Sequence, residues 1–194
     1  MALSFFTALS LIALYLTRDS ALLPALLVPV AVHELGHLLA LGLLGYHPRT
    51  LGLEARGLMI RYDGLGGWFY EVAAALAGPL AGLLYALLVL LAHGELPDWL
   101  SVSGSVSLLL TGFNLLPILP LDGGRVLEAL CLSFLEEEEA ERLITWISGA
   151  ALALLFIAGT ALLLRKKSTA MLTAGLWLLL ENERLPLVKG RKLL

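Results

Sequence analysis

Three ionisable side chains in the middle of an apolar run constrain this chain more than any other feature. Val32-His33-Glu34-Leu35-Gly36-His37-Leu38 lies inside a segment, Ala21 to Gly45, that carries no other charged residue. The segment is long enough to cross a bilayer as a helix, and ionisable groups are costly to keep there, so their presence points to function. Residues four apart share one face of a helix, which lets His33 and His37 turn imidazole nitrogens toward one metal ion. Zinc is the natural candidate. Glu34, one residue beyond the first histidine, suits a general base acting on the water at that metal. A lone histidine on an apolar face is usually a satisfied core residue, but three ionisable residues at metal spacing are not explained that way.

The rest of the composition agrees with a membrane setting. Of 194 residues, 59% are hydrophobic and 15% charged, and the mean hydropathy is +0.88. These values exceed what a soluble domain needs and indicate an all-α polytopic membrane protein with a single domain over 1–194. A net charge of −3 without any basic stripe argues against a nucleic-acid partner. Cys131 is the only cysteine, so neither an intrachain disulfide nor a cysteine-based zinc site can be completed. The first apolar run lacks a basic leading region and a small-residue cleavage site, and it reads as a retained span.

Taken in order, the apolar segments predict about six transmembrane helices. Ala2 to Leu16 is a short first span, and Ala21 to Gly45 is the second, with Pro24 and Pro29 favouring a kink before His33. Tyr46 to Glu71 changes character. Its glycines and alternating apolar residues predict a small β-hairpin turning near Ala55 to Gly57, or an irregular surface loop, and His47 reads as an ordinary loop residue. Val72 to Ala92 is the third span, with a small-residue face at Ala77-Gly78-Pro79 and Gly82. Leu100 to Leu119 is the fourth, broken by Asn114, Pro117 and Pro120 just before Leu121-Asp122-Gly123-Gly124. Arg125 to Leu135 suits an amphipathic helix, and Glu136 to Glu141 a solvated face. Leu143 to Leu164 is the fifth span, and Thr169 to Leu180 is a sixth span or a helix that only partly enters the membrane.

With six spans, nine basic residues fall on the side of both termini and four on the other, which places the termini in the cytoplasm. The second and fourth spans then end on that same side, so topology brings Asp122 toward His33 and His37. A hydrolytic zinc site wants three protein ligands and an open fourth position. Candidates for the third ligand are Asp122, Glu128, Glu71 and His93. Asp122 is favoured because the break before it frees backbone to curl inward, something a helix N-cap role alone leaves unexplained. Loss of metal through Glu128 instead would indicate a different class of membrane zinc peptidase.

The joint pattern resembles a known family. His33-Glu34-Leu35-Gly36-His37 in one span, with Asn114-Leu115-Leu116-Pro117-Ile118-Leu119-Pro120-Leu121-Asp122-Gly123-Gly124 at the end of a later one, is similar to the site-2 zinc metalloproteases. Ala77-Gly78-Pro79, preceded by Glu71, is similar to a further stretch of that family. The resemblance implies a six-span bundle, one Zn²⁺ per chain on His33, His37 and Asp122, Glu34 as catalytic base, and Asn114 near the substrate backbone. It implies an endopeptidase cutting within or near transmembrane segments of protein substrates, in the cytoplasmic membrane of a bacterium or archaeon. The segment after the metal helix is too short for a PDZ domain and the tail too short for a CBS domain, so this looks like a minimal core. The competing reading is an inactive metal-binding or scaffolding homologue.

Overall fold

The computed structural model describes residues 22–45, 47–54, 57–63, 67–92, 96–166 and 170–184. Six helices and two strands follow in order: α1 Leu22–Leu43, β1 His47–Glu54, β2 Gly57–Asp63, α2 Trp68–Leu91, α3 Asp98–Asn114, α4 Asp122–Phe134, α5 Glu137–Lys166 and α6 Ala170–Arg184. Leucine and alanine, both strong helix formers, dominate the helices. Three of them are long and apolar enough to cross a membrane: Leu23–Leu43, Trp68–Leu91 and Glu137–Arg165. The expected first span, Ala2 to Leu16, lies outside the described residues. α3 has 17 residues, and α6 contributes Met171–Leu180 as a shorter apolar stretch.

The chain divides into two compact units, one comprising residues up to Leu65 together with Leu76–Phe113, the other Gly66–Ala75 and everything from Asn114. In the first unit, α1 runs through Pro29 and ends where Gly45 adopts φ +77°, with its N–H donating to the Gly42 carbonyl at 3.2 Å. That left-handed position is one that glycine adopts without strain. β1 and β2 pair antiparallel from His47↔Asp63 to Glu54↔Gly57, with a register irregularity between Pro48 and Thr50. The α2 residues Leu76 to Leu91 pack on α3 through a polar seam. Tyr85 Oη and Ser103 Oγ are 2.8 Å apart, and Ser107 Oγ donates to the Gly82 carbonyl at 2.8 Å. Hydroxyls that bond to carbonyls leave no polar group bare in an apolar setting.

In the second unit, the helical path stops at Asn114 and resumes at Asp122. The intervening carbonyls find separate donors. Ile118 N–H bonds to Leu116 O at 2.8 Å, Ser148 Oγ to Pro117 O at 2.9 Å, and Leu121 N–H to Ile118 O at 2.9 Å. The break folds closely over the first turn of α4, since a Cβ on Gly123 would lie 2.6 Å from Leu116 O and one on Gly124 2.6 Å from Ile118 O. Leu119, Cys131, Ala140 and Ile144 form a buried cluster that joins the break, α4 and α5. α5 begins at Glu137, six residues before the expected Leu143, because glutamates form helix readily and suit the positive end of its dipole. α5 and α6 form an antiparallel pair, with Gly159 against Leu172 and Gly175 against Phe156. Trp68 and Phe134, both exposed, hold their ring centroids 5.8 Å apart.

Candidate metal centre

His33 and His37 project from one face of α1, as their four-residue spacing dictates, and their side chains are 4% and 3% exposed. Their Nε2 atoms stand 3.1 Å apart, with the rings nearly perpendicular at 81°. Two nitrogens on one tetrahedral zinc stand roughly 3.3 Å apart at Zn–N distances of about 2.0–2.1 Å, so the observed separation fits a shared metal. Glu34 is half-buried on the same helix.

Asp122 is buried in the first turn of α4. The residue at the N-cap position is Leu121, at φ −65° and ψ 161°, with no side-chain cap. Asp122 therefore does not serve as the N-cap, the competing role for a carboxylate at this point in the sequence. Asn114 is buried at the last position of α3.

His33 and His37 belong to the first unit and Asp122 to the second, and each is a buried residue of a type that binds metal. The donor set of two imidazoles and one carboxylate is one that zinc accepts in hydrolytic sites. Of the other sequence candidates, Glu128 is half-buried within α4, Glu71 is exposed in the first turn of α2, and His93 lies outside the described residues. His47 begins β1.

Two glycines complete the surroundings of the histidines. A Cβ on Gly36 would lie 2.6 Å from Ala77 O, and one on Gly78 would fall on His37 Nε2. A glycine between the two histidines, and another in the small-residue face of a later helix, were the available signals. Neither reveals its partner without the fold.

Comparison with known proteins bears on the same residues. The model for Peptidase family M50 matches residues 90–158. That segment includes Asn114 and Asp122, whereas His33, Glu34 and His37 lie outside it. No curated protein matched the chain. Among solved structures, the chain is similar to the Site-2 Protease from Methanocaldococcus jannaschii, with 22% identity, a TM-score of 0.62, and coverage of 92% of this chain and 85% of that one. At this identity the likeness establishes the fold. The family model therefore matches about a third of the chain, and the solved structure shares its fold over most of it.

Proposed function

We propose that the chain is an intramembrane zinc endopeptidase that hydrolyses peptide bonds in or near transmembrane segments of protein substrates. The observation that carries this reading is the buried pair of His33 and His37, with Nε2 atoms 3.1 Å apart and Glu34 beside the first histidine. In this reading His33 and His37 offer imidazole nitrogens and Asp122 a carboxylate oxygen to one Zn²⁺ per chain. When bound, zinc supplies Lewis acidity, acidifying a water molecule and polarising a carbonyl.

The chain's own residues do the rest. A Glu34 carboxylate oxygen accepts a proton from the attacking water as the new C–O bond forms, and returns it to the amide nitrogen as the C–N bond breaks. Asn114 holds the substrate backbone through its side-chain amide. A helical substrate hides its carbonyls in its own hydrogen bonds, so it must unwind locally first. Glycine, proline or polar residues near the cleaved bond lower that cost. The β1–β2 pair offers an edge on which the extended segment can be paired. Both termini face the cytoplasm, and water reaches the centre from that side past Pro117 to Asp122.

Glu34→Gln tests the reading. The substitution keeps size and hydrogen bonding but cannot take the proton, so purified protein is expected to retain zinc and fold while losing cleavage of membrane-spanning reporters. Substantial cleavage by this variant removes Glu34 from the role. Zinc-loaded wild type that cuts no reporter would favour the metal-binding homologue.

A further inference from the structure

The face of His37 opposite the helix axis rests on bare backbone. A Cβ built on Gly78 would coincide with Nε2 and lie 2.6 Å from both Cδ2 and Cε1. Any side chain at position 78 therefore displaces the edge of the ring that carries the candidate metal-binding nitrogen. The approach is reciprocal: Gly36, one residue before His37, presents its own bare backbone to Ala77 O and to Ala81 Cβ, at 2.6 and 2.7 Å from a built Cβ. α1 and α2 are in register at this point only because each carries a glycine there.

α2 is in turn held by α3 along the neighbouring part of the same stripe. Thr111 Oγ1 donates to the Pro79 carbonyl at 3.4 Å and Ser107 Oγ to the Gly82 carbonyl at 2.8 Å, and these hydroxyls are 5% and 0% exposed. The two donors are one turn apart on α3 and grip the turn of α2 that begins next to Gly78. A Cβ on Gly82 would lie 2.7 Å from Thr111 Oγ1, so α3 approaches as closely here as α1 does one turn earlier.

Resting on the zinc reading above, we propose that Gly78 is a positioning residue of the metal centre: its backbone, fixed by Thr111 and Ser107, sets where the His37 imidazole points. Partners that orient a metal-binding histidine typically change metal affinity by about 10–100-fold when altered. The usual orienting partner is a hydrogen-bond acceptor. Here the constraint is steric, supplied by a surface with no side chain.

The test uses the full chain in detergent with Co²⁺ alone as probe, because its visible spectrum reports ligand geometry directly. Gly78→Ala is expected to weaken Co²⁺ binding by about tenfold or more and to change the spectrum. Thr111→Val, which keeps the shape of the side chain, is expected to weaken binding in the same direction by less. Gly149→Ala serves as the control, since a Cβ there meets nothing within 4 Å.

Thermal stability of the metal-free protein separates positioning from simple packing. Gly78→Ala is expected to lower the midpoint in the native background and not in a His37→Ala background, where the ring it meets is gone. Equal loss in both backgrounds overturns the proposal, as does Gly78→Ala protein that binds Co²⁺ with wild-type affinity and spectrum. A folded wild type that binds no Co²⁺ overturns the zinc reading and this proposal with it. Wild-type binding left unchanged by Gly78→Ala overturns this proposal alone.

Discussion

Ser148→Ala isolates one hydrogen bond that the broken stretch between α3 and α4 depends on. The Ser148 side chain is 2% exposed and its hydroxyl donates to the Pro117 carbonyl at 2.9 Å. Pro117 lies between helices, so its carbonyl has no place in a helical ladder. The substitution removes one oxygen, and its packing cost is small. The main effect is a partly buried carbonyl without its donor, and a fully buried one costs about 1–3 kcal/mol in soluble proteins. Side-chain hydrogen bonds within membrane bundles average about 0.6 kcal/mol and reach about 1.7. The two ranges meet near about 1–2 kcal/mol. For a chain of this length that corresponds to a midpoint lowered by about 2–8 °C.

Thr160→Ala provides the comparison. Its exposed hydroxyl bonds to the Phe156 carbonyl one turn back at 2.8 Å, inside α5, where the helical ladder already supplies that carbonyl with a partner. Its midpoint is expected to stay near wild type. Thermal unfolding in detergent, followed by the helical circular dichroism signal, measures both. A Ser148→Ala midpoint no lower than that of Thr160→Ala refutes the reasoning, because the break would then hold its shape without this donor.

Two further substitutions address the centre and its substrate. Asp122→Ala is expected to remove most of the about one zinc per chain while Glu128→Ala retains it, as measured by metal analysis of purified protein; the reverse pattern would assign the third ligand to Glu128. Proline at Leu58 or Ile60 removes a backbone donor from β2 and is expected to slow cleavage of a membrane-spanning reporter without loss of zinc. Unchanged cleavage would remove the strand pair from the mechanism.

The helix that carries His33 and His37 was legible because its signal is local. His33 and His37 are one turn apart, and their charge stands out in an apolar segment. The break before Asp122 was legible through its neighbours, since two prolines and two glycines around one carboxylate mark an interruption that a span does not otherwise need. The start of α5 at Glu137 was less so, because hydropathy finds the apolar part of a helix and not its charged first turns. Gly36 and Gly78 were legible only as part of the histidine motif and of a small-residue packing face, and Ser107, Thr111 and Ser148 were not singled out. Glycines and small hydroxyl residues are common in membrane helices for many reasons, and what distinguishes these is a partner on an element distant in sequence. The sequence shows that they are small. Only the fold shows what occupies the space they leave.

If the chain cleaves membrane-spanning substrates as proposed, the aromatic pair at Trp68 and Phe134 has a consequence for where they are cut. Phe134 ends α4, and the exposed carboxylates Glu136 to Glu139 follow at once, so apolar rings and charged groups adjoin there as they do at a membrane surface. Asp122 stands at the other end of the same 13-residue helix. A helix rises 1.5 Å per residue, so Asp122 lies at most roughly 18 Å from the level of those rings, and less if α4 is tilted. That length is a ceiling on depth. In the proposed reading, bonds beyond about the first twelve residues of a helical substrate, counted from that face, are expected to be out of reach unless the substrate slides along its own axis.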